Sequence, residues 1–538
     1  MVKNKIRLLI TCILTLNIGI SNANISSTPT FKIYFLKNKK GTTAQINNPL
    51  EFLNQKSIDR RVKNNVSIDS LDLPISKIYL DSLVNLGYTI HSKSKWLNAV
   101  VIKTDENQHN SILKLGFISN NAILSREANV NNGQLNRVSK KHDIQAVDFG
   151  NLKEQNQMLG IDVANSNGFT GQNIIVGVFD GGFSNANVMS YLNYSFTNNN
   201  ILFTYDFVKK KTSVYEEDAH GTNVLSLLAS NTPGTFVAGA YDAKYILLKT
   251  EDIPNESKLE EINWIQAAEV ADSAGVDLIS TSLGYNTFDN SLLDYTYADM
   301  NGATSFISKG ASIAYKKGIL VIVSAGNEGA RTWGKICTPA DSPDVIAVGA
   351  VDVNNEIGSF SSRGPSSDGR IKPDVCGPGV NVYVASSSGS FRSNGTSFAC
   401  PMVSALATAF WSEYPYLKAS EMKDLIIRSG DKYDSPNNNY GNGVPHYSRM
   451  KKILTSILDD TLSTIRTYYN YDTKAWYVDL ISESNFEYQI IDIYGNVIDR
   501  DYISSNSSII TLTNKAKGLY ILQVKTAKGT AVSKAIIY

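Results

Sequence analysis

The sequence predicts an α/β protein: a central domain on a buried parallel sheet, set between a small α+β domain and an all-β module. Three observations carry this prediction. Between about residues 146 and 455, short continuous apolar runs alternate with stretches of helical spacing, the mark of strands covered on both faces. Upstream, the pattern reads β-α-β-β-α-β. From about Tyr468 to Tyr538 the apolar period falls to two, with turns at Tyr494-Gly495-Asn496 and Lys528-Gly529, which predicts six or seven short strands packed as a sandwich. A chain of 538 residues is too long for one compact domain, so a multi-domain reading is also what its length suggests.

Taken in order, Lys3, Lys5 and Arg7 precede the apolar run Leu8 to Ile20 and the small residues Ser21-Asn22-Ala23, the layout of a signal peptide over residues 1–23. The run is short for a membrane anchor, the other reading of such a segment. Residues 24–145 form the α+β domain. Phe31 to Leu36 alternates as a strand, and Ile75, Ile78, Tyr79, Leu83 and Leu86 trace a helix stopped by Gly87. Trp96 to Ile102 reads as a strand and Ser111 to Leu115 as a second helix, an order that suits a ferredoxin-like fold. Asn131 to His142, polar and carrying Lys140-Lys141, reads as an exposed linker.

In the central domain, residues 146–455, the strand candidates are Ile174 to Phe179, Tyr245 to Leu248, Val276 to Ile279, Ile319 to Val323 and Val345 to Val348. Ile262, Ile265, Ala268 and Asp272 trace a helix closed by Gly275, and Phe306 to Lys317 another closed by Gly318. Residues 456–538 hold a linker and the β module. Charged residues are 19% of the chain and the net charge is +1, so nothing in the composition points to nucleic acid or an anionic surface. Cys12 leaves with the signal segment. Of the remaining Cys337, Cys376 and Cys400, an odd number cannot all pair, and a Cys337–Cys376 bridge stays open.

Four strings carry chemistry. Asp180 ends the apolar run Ile174-Ile-Val-Gly-Val-Phe-Asp180-Gly-Gly, at a strand's carboxyl end where ligands gather in parallel sheets. His220 opens a helix in Asp218-Ala-His220-Gly-Thr, where Gly221 could let a substrate backbone approach. Ser397 stands in Asn394-Gly-Thr-Ser397-Phe-Ala, at the positive end of a buried helix. Asn327 follows the strand end Val321-Ile-Val-Ser-Ala-Gly and can offer an amide to an oxyanion. An acid, an imidazole and a hydroxyl are what turn an alcohol into a nucleophile. Any one of these strings alone is also what a strand-end turn or a helix cap looks like. Their joint order Asp, His, Ser is far more specific.

With Gly239-Ala240-Tyr-Asp-Ala243, Ile279-Ser-Thr-Ser282-Leu283-Gly284, Thr338-Pro339-Ala340, Ser361-Ser-Arg-Gly364-Pro365, Lys372-Pro373-Asp374 and Tyr440-Gly-Asn-Gly443, the central domain resembles the subtilisin-like (subtilase) serine peptidases over roughly 300 residues. The resemblance implies a subtilisin-like parallel-sheet fold and a secreted serine endopeptidase. It assigns Asp180, His220 and Ser397 to the triad, Asn327 to the oxyanion hole, Ser282, Leu283 and Gly284 to the edge that binds extended substrate, and Ser324, Ala325 and Gly326 to the pocket for the residue before the scissile bond. Residues 24–145 resemble subtilase pro-domains, which implies an intramolecular inhibitor. The tail, with Tyr488-Gln-Ile-Ile-Asp-Ile-Tyr-Gly-Asn and Gly518-Leu-Tyr-Ile-Leu-Gln-Val, resembles type IX secretion sorting domains, which implies the secretion machinery as partner and a secreted or cell-surface location.

Two positions depart from the family pattern: Gly181 replaces the Thr or Ser after the acid, and Asn223 replaces the second His of the common His-Gly-Thr-His string. No cofactor is implied, and no compact run of oxygen ligands marks a calcium site, although subtilases often carry one. The alternative function is an inactive scaffold serving as a surface binding protein, which requires a broken catalytic position; all four are intact. A zinc peptidase finds no His-Glu-x-x-His pair, and Ala399 breaks the Gly-x-Ser-x-Gly elbow of lipases and esterases.

Overall fold

The computed structural model describes residues 29–42, 44–125, 148–460, 465–470, 473–480, 483–511, 516–527 and 529–537. The signal segment with Cys12, the linker Asn131 to His142 and Lys528 of the last turn lie outside the described residues.

The first unit is a four-stranded antiparallel sheet in the order Ile90–Ser94, Ala99–Thr104, Thr30–Leu36, Ile118–Ser125. This is the ferredoxin-like arrangement, with the helices Lys77–Asn85 and Glu106–Leu113 as its crossovers. The period-two pattern divides the sheet between two cores. Tyr34, Leu36, Val100 and Ile102 pack on Leu83 and Ile112 of its own helices. Ile33, Val101 and Leu124 turn the other way, into a core shared with Ile262, Ile265 and Ala311 of the next unit.

That unit holds a seven-stranded parallel sheet in the order Val375–Pro378, Ile346–Val351, Leu320–Ser324, Leu278–Thr281, Ile175–Asp180, Lys244–Lys249, Ile201–Asp206. The five apolar runs read from the sequence are its inner strands. The two edge strands escaped that reading, because Ile201–Asp206 mixes polar residues in and Val375–Pro378 is a short Val-Cys-Gly-Pro. Helices Lys258–Ala274 and Phe306–Lys316 cover the face toward the first unit. On the other face the helix Thr396–Glu413 is buried from Thr396 to Trp411, which explains why it is apolar all round.

The third unit pairs a three-stranded sheet (Ile465–Asn470, Ala475–Leu480, Ser507–Thr511) with a four-stranded one (Val497–Ile503, Phe486–Asp492, Gly518–Lys525, Thr530–Ile537), all antiparallel. Trp476 and Val478 from one sheet and Ile490, Leu522 and Val524 from the other close the core between them. Cys337, Cys376 and Cys400 are buried free thiols, so the Cys337–Cys376 bridge does not form. Burial pushes the Cys376 and Cys337 thiols well above their ordinary range and Cys400 up to about 11, which keeps all three uncharged. Among the described residues no helix is long and apolar enough to cross a membrane.

Candidate active site

The parallel register sets Asp180, Ser282 and Ser324 side by side along the carboxyl edge of three adjacent strands, where Thr281 pairs with both Phe179 and Val323. The chain order also reverses here, between Ile175–Asp180 and Leu278–Thr281, and open α/β sheets leave a crevice at such a point.

Asp180 is fully buried, and its Oδ1 accepts from the Gly181 backbone N–H at 2.9 Å and faces His220 Nδ1 at 2.8 Å. His220 is the first residue of the helix His220–Ala229. That helix meets the strand end because residue 221 is glycine: a Cβ there would lie 2.4 Å from Gly182 O and 2.9 Å from the Asp180 Cβ. Gly221 therefore serves the contact between helix and strand. Burial works against a charged His220 ring, but Asp180, with Asp218 and Glu251 behind it, outweighs that and raises the imidazole to about 9. A third of the side chain stays exposed.

Ser397 is the second residue of Thr396–Glu413. Pro401 lies four positions further on and has no N–H, so the Ser397 carbonyl loses its helical donor. Ser282 replaces it, donating from Oγ to Ser397 O at 2.9 Å. An unmatched buried carbonyl costs about 1–3 kcal/mol, so this one bond ties the helix start to the sheet edge. In return the Ser397 hydroxyl donates to Ser282 O at 3.3 Å rather than to the imidazole. That is a long, weak bond beside the usual ~2.8 Å, and easily exchanged. The His220 ring lies over the neighbouring residue, with its centroid 5.9 Å from that of Phe398.

Asn327 is exposed, and its Oδ1 accepts from Thr396 N and Thr396 Oγ1, both at 3.0 Å, which turns the amide N–H₂ the other way. Asp180 and His220 thus touch, Ser397 and Asn327 are joined through Thr396, and Ser397 meets Ser282. Of the expected substrate-binding residues, Gly284 is exposed and Gly326 half-buried. Ser282, Leu283, Ser324 and Ala325 are buried, and Ser324 Oγ donates to Leu283 O at 3.4 Å, cross-linking the two segments. Sequence reasoning missed Thr396, although it stands inside the quoted serine string, and the roles of Asp218 and Glu251. Among the described residues no group of His, Cys, Asp and Glu is placed to hold a metal ion.

Residues 171–443 match the model of the subtilase family, just over half of the chain. The chain belongs to the subtilase family. Residues 31–143 match the peptidase S8 propeptide domain of Bacteroidota, and residues 472–538 a secretion system C-terminal sorting domain. This subtilase is 30% identical over 354 residues to serine protease AprX of Bacillus subtilis, covering 60% of this chain and 74% of AprX. It is 30% identical over 272 residues to subtilisin DY of Bacillus licheniformis, covering 50% of this chain and 88% of that one. Among solved structures, MycP1 of Mycobacterium smegmatis matches with a TM-score of 0.43 at 20% identity, over 55% of this chain and 83% of MycP1. The subtilase is accordingly a subtilisin-like serine peptidase with a propeptide domain, and its sorting domain marks it as secreted or cell-surface.

Proposed function

We propose that this subtilase is an endopeptidase that works through an acyl-enzyme on Ser397. His220 takes the Ser397 proton as the hydroxyl attacks the peptide carbonyl, then passes it to the leaving amine. Asp180 fixes the imidazole tautomer through Nδ1 and balances its charge. Asn327, its amide N–H₂ turned away from Thr396, and the Ser397 backbone N–H at the positive end of the helix hold the oxyanion. Extended substrate adds alongside Ser282–Gly284, with one side chain entering between that segment and Ser324–Gly326. Residues 1–23 are removed on export, 24–145 form the inhibitory pro-domain, 146–455 the peptidase, and 456–538 the linker and the domain read by the secretion machinery. The observation that carries the reading is the Asp180–His220 pair at 2.8 Å, set on the sheet's carboxyl edge beside the start of the Ser397 helix.

The test is a fluorophosphonate probe on the mature protein, followed by peptide mapping. The probe should sit on Ser397. Label on another serine, or none, would sink the assignment.

A second expectation concerns pH. Because the folded state favours the charged imidazole, that interaction stabilises the protein below the ordinary histidine pKa of ~6.5 and is lost as pH rises through about 9. Catalysis has the opposite sign, since the base must be neutral. With an uncharged peptide substrate, kcat/KM of the mature enzyme should climb through the neutral range and reach half its maximum near pH 9. A plateau already reached at neutral pH would refute the raised imidazole.

A further inference from the structure

The edge strand of the pro-domain sheet, Ile90–Ser94, lies beside the peptidase helix Lys258–Ala274. Gln266 Nε2 donates to Lys93 O at 3.0 Å, and Glu269 accepts from the backbone N–H groups of Lys95 and Trp96 at 3.0 and 2.9 Å. These bonds fasten the strand to the helix without closing the seam around it. A cavity of about 610 Å³ stays open there. Phe52, Pro74, Ile75 and Leu80 line it from the pro-domain and Phe207 and Val270 from the peptidase, so its wall is mainly apolar and belongs to neither unit alone. The volume falls within the range of about 300–1,000 Å³ that accepts whole small ligands.

A narrower cleft of about 320 Å³ continues this cavity, sharing Leu80, Lys93, Phe207 and Gln266 with it. Its chemistry is different. The strand has a register shift between Ile90 and Ser92, the kind of irregularity that re-aims side chains beside a site. Ser92 lines the cleft, is 5% exposed, and its Oγ has no hydrogen-bond partner, which a buried hydroxyl ordinarily has. Lys93 lines both spaces and pairs with no anion among the described residues. Lys210 closes the far end and gives its ammonium to a carbonyl, His91 O. Burial, with Lys210 and Lys103 nearby, holds the His91 ring down to about 4, so at neutral pH it adds no charge.

The carboxylates of the seam are already taken. Glu269 also accepts from Ser94 Oγ at 2.5 Å, and Asp72 is held by Arg61 at 2.6 Å and Lys317 at 2.9 Å. The Lys95 ammonium turns to Ser273 Oγ at 2.9 Å. What the seam leaves unmatched is the positive charge of Lys93 and Lys210, the Ser92 hydroxyl, and an apolar wall. Two spaces that run on from one another suit an elongated ligand with one polar end.

We propose that the seam between pro-domain and peptidase binds a long-chain carboxylate, its alkyl chain in the larger cavity and its head in the narrower cleft, where the head accepts from Ser92 Oγ and pairs with Lys93 and Lys210. Because both units build the wall, the ligand binds the precursor and holds the pro-domain on the peptidase. The site lies apart from the triad and does not depend on which residue is the nucleophile.

The experiment titrates the intact Ser397→Ala chain with decanoate below its micelle concentration and reads binding by calorimetry. One molecule should bind per chain. Octanoate and hexanoate should bind more weakly, by about fourfold for each methylene lost. Decanol, of the same length without the charge, should bind about tenfold more weakly than decanoate. Lys93→Ala should bring decanoate close to decanol, and Val270→Trp, which puts an indole into the larger cavity, should abolish binding of both. Because Lys93 is exposed, the first variant keeps the test independent of any effect of tryptophan on folding. Bound decanoate should raise the first unfolding transition and slow amide exchange in the segments 90–94 and 266–274, but not in the strand Gly518–Lys525. No binding, more than one molecule per chain, equal affinity for decanoate and decanol, or a titration that Lys93→Ala leaves unchanged overturns the site.

Discussion

Replacing Ser397 with alanine should lower turnover by a factor on the order of 10⁶ and leave the chain uncut between its pro-domain and peptidase. The size follows from how little a hydroxyl does alone. The Ser397 Oγ is weakly held by Ser282 O at 3.3 Å, and in the proposed mechanism its conversion to an alkoxide-like nucleophile depends wholly on the Asp180–His220 pair. Removing the oxygen removes everything that pair acts on. What stays is the oxyanion site and substrate binding, which by themselves leave a residual acceleration of about 10³–10⁴ over water. The substitution should not disturb folding, because the bond that ties this helix to the sheet runs from Ser282 Oγ to the Ser397 backbone carbonyl, which alanine keeps. The measurement is therefore double. Peptide hydrolysis falls to the residual level, while the melting temperature stays within a degree or two of an inhibitor-blocked control. A variant that still matures to its normal N-terminus would show that another group, or another protease, makes the cut.

The parts of this structure that were legible in the sequence are those whose signal is local. Five strands announce themselves because each is buried on both faces and therefore continuously apolar. The helix of Ser397 reads as buried because no polar stripe interrupts it. The four strings around Asp180, His220, Asn327 and Ser397 read as a set because their order is specific. What stayed hidden depends on contacts between distant segments. Gly221 gives no local sign that it lets the helix meet Gly182 and Asp180. The Ser282 hydroxyl answers a proline four residues beyond Ser397, a link that no spacing reveals. Asp218 was in plain view two places before the histidine, but Glu251, the other carboxylate that raises the imidazole, comes near only through the register of Lys249 on Asp180. The helix Gln55–Asn64 was missed altogether. Its interior face buries Arg60 and Arg61 where an amphipathic pattern would show leucine or isoleucine.

That helix carries the last prediction: Asp272→Ala should loosen the pro-domain by about 3–5 kcal/mol, the cost of breaking a buried charge network from one side. Asp272, near the end of the helix Lys258–Ala274, is fully buried and takes both arginines: Arg60 on Oδ1, and Arg61 on Oδ2 at 2.8 Å. Arg60 also donates to Val276 O at 2.6 Å and Lys317 O at 3.2 Å, so it caps the carboxyl ends of both helices under the pro-domain. Arg61 continues to Asp72 at 2.6 Å, and Asp72 to Lys317 at 2.9 Å. Burial holds the Arg60 guanidinium down to about 10 even with its partners in place, a sign of how much solvation it has given up. Alanine at 272 leaves Arg60 with backbone carbonyls and only the more distant charge of Asp277, and Arg61 with Asp72. The apolar part of the interface, Ile33, Val101 and Leu124 against Ile262 and Ile265, is untouched, so the pro-domain should still dock, only less firmly. The measurement is best made in the Ser397→Ala chain, where nothing is cut: the first unfolding transition should fall by several degrees, and amides of the segment 55–64 should exchange faster while those of the strand Leu320–Ser324 do not. Equal melting of the two chains would mean that the arginines are solvated in the precursor and that the apolar sheet alone holds the pro-domain in place.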